Sequence, residues 1–549
     1  MAIPPVDTSS SDANDETSPL LPRRSASPST HTRKDDISHH RNRRRWSSAS
    51  ICLLLLIIIV CLEFADTVPR PALTRIYEAV YCRQYYLEHG FPGDGKEGGA
   101  VGGRFGGWAG FGDGKLALSI PEKYCKVPQV QGEVALLKAW QVAFDAAGSL
   151  LFAIPWGYFA DSYGRRPMLL IIVAAFVAKS LWIQVVCYCW KTMPIRLVWL
   201  GSLQSLFGGG AVAGAVLYTS IADVTDQDER VTIFFRFGAA QLFSGFIAPP
   251  LSAWLMQFGP FTPTILGTAF FAFGFVILCF LPETMSYKGE ESSPNTAAEP
   301  PRAETSDSTR EPSIHDRVKS LLRSAQDSAA FLTSDMRILI LLPTYSFHLL
   351  LYNTDDLLLQ YSSERFDISI SRATLVISLQ AGLKVVVLIV LLPALVNYLT
   401  TRFPFDAQFK DLLLARCSAA AMALGFLCIG LAPSLPLLIT ALPIQVAGWG
   451  LMFLIRSLVT SFVEQHHVAR LYIMLTLVDA AGLMVGTPAM AAFFDWSLSI
   501  GSWGGGLPFV GCGLALMMVE FALYSVRVGE EKGEEEVEDD RCSGTSGGI

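Results

Sequence analysis

The sequence predicts an all-α membrane protein whose twelve transmembrane helices form two six-helix bundles. Three observations predict it. First, the 549 residues are 51% hydrophobic and only 17% charged. That is too apolar for one soluble domain, and long enough for about a dozen spans of roughly 20 residues each. Second, apolar runs recur near 48–68, 134–159, 167–189, 195–222, 231–256 and 262–282, and again near 336–358, 371–397, 409–432, 435–461, 468–494 and 504–527. Third, a polar stretch at 284–335, dense in Glu, Ser, Pro and Thr, divides those runs into six and six.

The elements follow in order. Residues 1–46 are rich in Ser, Thr, Pro, Asp and Arg and are expected to be a disordered tail. Arg41, Arg43, Arg44 and Arg45 stand directly before the first apolar run, which places this tail in the cytosol by the positive-inside rule. A cleavable signal peptide is the rival reading. The long polar tail and the lack of a small-x-small cleavage site favour a retained helix. The N-terminal bundle is expected over 47–283, with an external loop at about 69–133. A cytosolic linker at 284–335, a C-terminal bundle at 336–527 and an acidic cytosolic tail at 528–549 complete the chain, since an even number of spans returns it to the side it left.

Within the external loop, residues 69–86 carry Arg70, Arg75, Glu78 and Arg83 among apolar neighbours. This segment either extends the first helix outward or lies on the surface. Gly93 to Gly114 is expected to stay flexible. Most of the eleven cysteines lie inside apolar runs, where a thiol acts as a small hydrophobe. Cys82 and Cys125 fall outside the cytosol, where disulfides persist, and are a candidate bridge; the alternative is two unpaired thiols.

Between the second and third runs lies GYFADSYGRRP, from Gly157 to Pro167, with Asp161, Gly164, Arg165 and Arg166 in one tight basic turn. On the residues alone, Gly157 would let helices approach. Asp161 could accept hydrogen bonds from amides at a helix N-terminus, and the arginines could hold carboxylates or lipid headgroups. The plainer reading is a solvated turn that fixes topology. The spacing resembles the signature loop of the major facilitator superfamily. That resemblance implies two parallel-related bundles and a loop that latches the cytosolic side while the transporter faces outward.

The two halves show faint self-similarity at an offset of 240 residues: Gly208 and Gly210 fall on Gly448 and Gly450, Tyr158 on Tyr398, Arg230 on Arg470 and Ile233 on Ile473. A parallel repeat is the relation expected between halves of this kind. The loop motif itself is not repeated, since Asp161 falls on Thr401. Gly208, Gly210 and Gly214 in the fourth run, and Gly482 and Gly486 in the eleventh, are candidates for close helix packing; they could instead line a cavity.

A charge inside the bilayer costs about 2.5–3.5 kcal/mol even on a lenient insertion scale, so the ionisable residues within the spans are the candidate site. Glu63, Asp145, Lys384 and Asp479 are the substrate or proton candidates, with Lys179 either snorkelling or functional. Asp145 and Lys384 lie within one residue of the 240 offset, so a charge pair linking the halves is one expectation. The resemblance implies that Glu63 and Asp479 sit on helices lining a central cavity, where desolvation would favour carrying a proton.

The substrate is left open. Gln204 and Ser205 precede Gly208 without the arginine that drug–proton antiporters of the superfamily carry, and Ala248-Pro249-Pro250 matches their fifth-helix motif only in part. Arg70 to Tyr86, with Cys125 and the VALLKAWQ segment, resembles a fungal branch related to proton-coupled folate and haem carriers. Glu16 to Leu21 fits an acidic dileucine sorting pattern, so either the plasma membrane or a vacuolar or endosomal membrane is expected.

No Walker loop, metalloenzyme motif or nucleophile elbow occurs in the sequence, so neither an enzyme nor an ATP-driven pump is expected. Expected partners are a small-molecule substrate, protons and the lipid bilayer, with no nucleic acid, cofactor or metal, and the chain is expected to act as a monomer. The function expected is proton-coupled secondary transport of a small organic solute by alternating access. The rival is a transporter-like sensor that binds solute without sustained flux.

Overall fold

The computed structural model describes residues 47–90, 121–225, 227–284, 340–341, 344, 354–402, 407–463, 468–501 and 504–525. The predicted tails, nearly all of the linker, the glycine-rich stretch and the dileucine pattern lie outside these residues. The described residues form helices and turns, with no strand. Where no water reaches the backbone, a helix satisfies every peptide group within its own segment. Among the described residues, nine helices are long and apolar enough to cross a membrane.

The first span consists of α1 (Ser48–Thr67) and α2 (Pro69–His89), which run on as one helix of 42 residues. Val68 between them keeps helical angles, φ −60° and ψ −41°. At 1.5 Å per residue this helix is about 63 Å long, twice the thickness of a hydrocarbon core. Residues 69–86 therefore extend the first helix, and much of the expected external loop is helical. Pro69 opens a gap in the hydrogen-bond ladder, and Gly267 lies against it: a Cβ there would stand 2.3 Å from the Pro69 ring.

A 3₁₀ turn, Glu122–Cys125, leads into α3 (Pro128–Tyr163), followed by α4 (Arg165–Tyr188). The fourth span is a 3₁₀ segment, Ile195–Phe207, joined to α5 (Gly209–Val224). Next come α6 (Gln227–Leu255) and α7 (Phe261–Phe280). In the second half, α8 (Thr354–Arg365) covers the far end of the seventh run. The eighth run forms α9 (Ile370–Val386), a π segment at Val387–Leu391 and α10 (Leu392–Arg402). Pro393 stands two residues past the end of that π segment; a proline has no amide to continue the ladder, which gives the widened turn its cause. Then follow α11 (Ala407–Gly430), α12 (Leu435–Ala447), α13 (Leu451–Ser461), α14 (Val468–Leu498) and α15 (Leu507–Ser525).

The internal repeat is visible as a shared break. The fourth span changes from 3₁₀ to α at Gly208, whose φ of +106° is open to glycine but strained for other residues. The tenth span divides into α12 and α13 at Gly448–Gly450, its counterpart at the 240 offset. Close packing, however, falls on neighbours of the predicted pair. A Cβ on Gly209 would reach within 2.5 Å of Ser149, and one on Gly148 within 2.5 Å of Ser205, whereas Gly210 and Gly214 face open space. The expected Gly210–Gly214 packing face is not made, because those two glycines point away from the helices that flank α5. Gly482 and Gly486 both lie on α14, Gly486 buried and Gly482 half-buried.

Each half has its own apolar core. One, around Leu55, Leu169, Ile172 and Ile221, joins α1, α4 and α5. Another, around Tyr77, Leu137 and Val186, fills the end that holds Cys82 and Cys125. The core of the second half, around Phe426, Leu442 and Phe509, also takes in Ala135 and Ala139 of α3. Leu181, Phe273, Met518 and Phe521 are exposed; lipid tails solvate such side chains as well as a protein core does.

Candidate functional site

The halves meet through polar groups at one end of the bundle, the end stapled by the Cys82–Cys125 disulfide. Ser371 Oγ donates to the Ala253 carbonyl at 3.0 Å and Ser378 Oγ to the Phe246 carbonyl at 3.1 Å, tying α9 to α6. Gly132 and Gly382 allow close approach here: a Cβ on Gly132 would lie 1.7 Å from Asp495, and one on Gly382 would lie 2.8 Å from the Phe246 ring.

Deeper in, charged residues form a seam across the halves. Lys138 on α3 pairs with Asp356 on α8 at 2.9 Å. The Lys138 ammonium also donates to Thr74 Oγ1 at 2.8 Å, and Thr74 donates to the Arg70 carbonyl. Arg70 pairs with Asp66, both half-exposed, and lies within electrostatic reach of Asp356. One turn below, Glu63 accepts a hydrogen bond from Gln241 Nε2 at 2.9 Å, and the Tyr218 hydroxyl donates to Gln241. On the other side, Asp355 accepts from Lys384 at 2.7 Å, and that ammonium stands 3.8 Å from the centroid of the Trp449 ring. The seam thus runs from Glu63 past Asp66 and Arg70, through Thr74, Lys138 and Asp356, to Asp355 and Lys384, and Arg70, Lys138 and Lys384 each face a carboxylate along it.

The structure places Glu63 and Lys384 at opposite ends of this seam and leaves Asp145 out of it. Asp145 accepts from Lys179 at 2.6 Å and lies 3.4 Å from Gln204 and Ser205, all in its own half. Lys384 likewise pairs within its own half, so the expected Asp145–Lys384 link is not made. Asp145 faces α4 and the fourth span, and Lys179 turns inward to it; it does not snorkel. Among the described residues the ion pair that crosses the halves is Lys138–Asp356. Asp479 lies half-buried on α14, the helix that packs along α3.

Sequence reasoning passed over Lys138, Asp355 and Asp356 because they stand near the ends of their apolar runs, where a charge reads as an interface anchor. The adjacent pair Asp355-Asp356 inside a long run was the available signal.

At the opposite end the signature loop is held within its own half. Gly164 turns with φ +102°, and Glu283 packs against it. The Glu283 carboxylate accepts from the amides of Arg165 at 2.8 Å and Arg166 at 3.2 Å, capping α4. Arg165 pairs with Asp223 at 3.3 Å, and the Arg166 guanidinium bonds the Cys279 carbonyl. Glu283 thus supplies an acceptor for two of these amides; the side chain of Asp161, where the sequence placed one, lies outside the described residues. A Cβ placed on Gly157 would meet nothing within 4 Å, so among the described residues no helix makes the expected close approach there.

A family model described as Major Facilitator Superfamily matches residues 134–487. The chain belongs to this superfamily. The fold is accordingly the all-α major facilitator fold, and the protein is a multi-pass membrane transporter. It is similar to the MFS efflux pump atnC of Emericella nidulans, 31% identical over 86% of each chain. It is also similar to the MFS-type transporter aprT of Aspergillus flavus, 30% identical over 83% of this chain and 84% of that one. Among solved structures, the nucleoside transporter NupG aligns with a TM-score of 0.56 at 12% identity, covering 87% of this chain and 99% of the other. The human organic anion transporter MFSD10 (TETRAN) aligns with a TM-score of 0.51 at 17% identity, covering 87% and 100%. These two show the fold alone. None of these relatives bears on the likeness to folate and haem carriers.

Proposed function

We propose that this transporter exports a small organic solute by alternating access, driven by protons, with the Cys82–Cys125 end facing out and both termini in the cytosol. The observation that carries the reading is the Lys138–Asp356 ion pair, which joins the halves across a charged interior. A solute with polar groups can replace these mutual contacts one for one, so its binding is coupled to how the halves meet. Direction rests on the relatives, of which atnC is named an efflux pump.

Glu63 is the proton carrier in this reading. Among the described residues its hydrogen-bond donor is the uncharged Gln241, which holds a carboxylate less firmly than the lysine that faces Asp356. The bonds at the disulfide end close the path there, as expected of a state open toward the cytosol. The signature loop, tied to its own half, waits in that state to latch onto the other.

The test is a solute screen in proteoliposomes with an imposed pH gradient. Gradient-driven movement of at least one organic solute is expected. Saturable binding without flux would favour the sensor.

A further inference from the structure

We infer that Glu122 and Lys126 form a catch on the outer gate, held in reach of the opposite half by the Cys82–Cys125 bridge. The inference rests on the alternating-access reading above. Its centre is Glu78, whose side chain is 0% exposed and which accepts from Arg75 at 2.9 Å, Lys126 at 2.7 Å and Gln131 at 2.8 Å. A buried carboxylate persists only with such donors. Glu122 completes the group, 3.1 Å from Lys126 and 3.5 Å from Arg75. All five residues belong to the first half, so the cluster moves with it as a unit.

Two bonds leave this unit for the second half. Lys126 Nζ donates to Ser363 Oγ on α8 at 2.5 Å, and the amide of Ile370, the first residue of α9, donates to Glu122 Oε1 at 2.6 Å. Both involve a charged group, which makes them stronger than neutral bonds. Glu122 and Lys126 sit on and beside a single 3₁₀ turn, too short to hold its own position. The bridge to α2 fixes that turn, with help from the Tyr86 hydroxyl, which donates to the Tyr124 carbonyl at 2.9 Å. When the halves tip, the bonds inside the cluster persist and the two crossing bonds break. The catch therefore biases the resting protein toward a closed outer end.

The experiment is amide hydrogen exchange on the reconstituted full chain, without added solute. It compares the natural protein with Lys126→Gln, with Ser363→Ala and with the paired Cys82→Ser/Cys125→Ser variant. Ser363→Ala leaves the buried cluster whole, so the test stands even if Lys126→Gln folds poorly. Each variant is expected to speed exchange over residues 370–378 by about tenfold, the effect of losing one charge-assisted bond from a two-state balance. Exchange over 163–170 at the inner end should slow in step. Unchanged outer exchange in folded variants overturns the catch. Faster outer exchange with no change at the inner end supports the catch and contradicts alternating access.

Discussion

At the scale of single residues, the account turns on which charges can lose their partners without being stranded. Lys138 and Asp356 pair across the halves with side-chain exposures of 13% and 35%. Removing either charge leaves the other without its ion-pair partner, and Arg70 near Asp356, Thr74 at Lys138 and the partial exposure of Asp356 temper the loss. Lys138→Gln and Asp356→Asn are each expected to cost about 1–2 kcal/mol, with the double variant costing less than their sum. A double-mutant cycle on unfolding midpoints in detergent checks this; strict additivity would mean that the pair does not interact. Glu63→Gln keeps an oxygen for Gln241 and should fold normally, yet lose stimulation by a pH gradient in the flux assay. An undiminished gradient response would remove Glu63 from the proton path. Glu63 was legible in the sequence because a carboxylate inside an apolar span is costly to bury. Lys138 and Asp356 were not, because pairing between runs roughly 200 residues apart leaves no local pattern.

At the scale of elements, the glycines and caps explain why the spans break and turn where they do. Gly208 occupies a left-handed conformation and has Val212 at 3.0 Å from any added Cβ, whereas Gly210 faces open space. Gly208→Ala should therefore lower stability by about 1–2 kcal/mol while Gly210→Ala leaves it nearly unchanged. Thermal unfolding of the two variants side by side checks the contrast, and equal midpoints would contradict it. At the signature loop, Glu283→Ala uncaps two amides of α4 and should cost about 1 kcal/mol in the same assay. The loop itself was legible from its spacing. Its capping carboxylate was not, since Glu283 lies far along the chain and closes a phrase, Pro282-Glu283-Thr284, with no charge pattern of its own.

At the scale of the molecule, hydropathy and the polar divide made the helical architecture legible, and the repeat at 240 residues survives as matched breaks in the fourth and tenth spans. What hydropathy could not reveal is which way each helix face turns. Asp145 and Lys384 occupy matching depths, yet each faces a neighbour within its own half. Among the described residues the halves are joined by a band of contacts at one end and a charged seam beneath it. In the proposed alternating-access reading, these bonds break at one end as others form at the other. The most direct measurement is gradient-driven solute flux in proteoliposomes carrying the natural protein or the Asp356→Asn variant. The account predicts flux that collapses when the proton gradient is dissipated and is largely lost in the variant. Full-speed flux through Asp356→Asn, or solute binding by the natural protein with no flux at all, would contradict it.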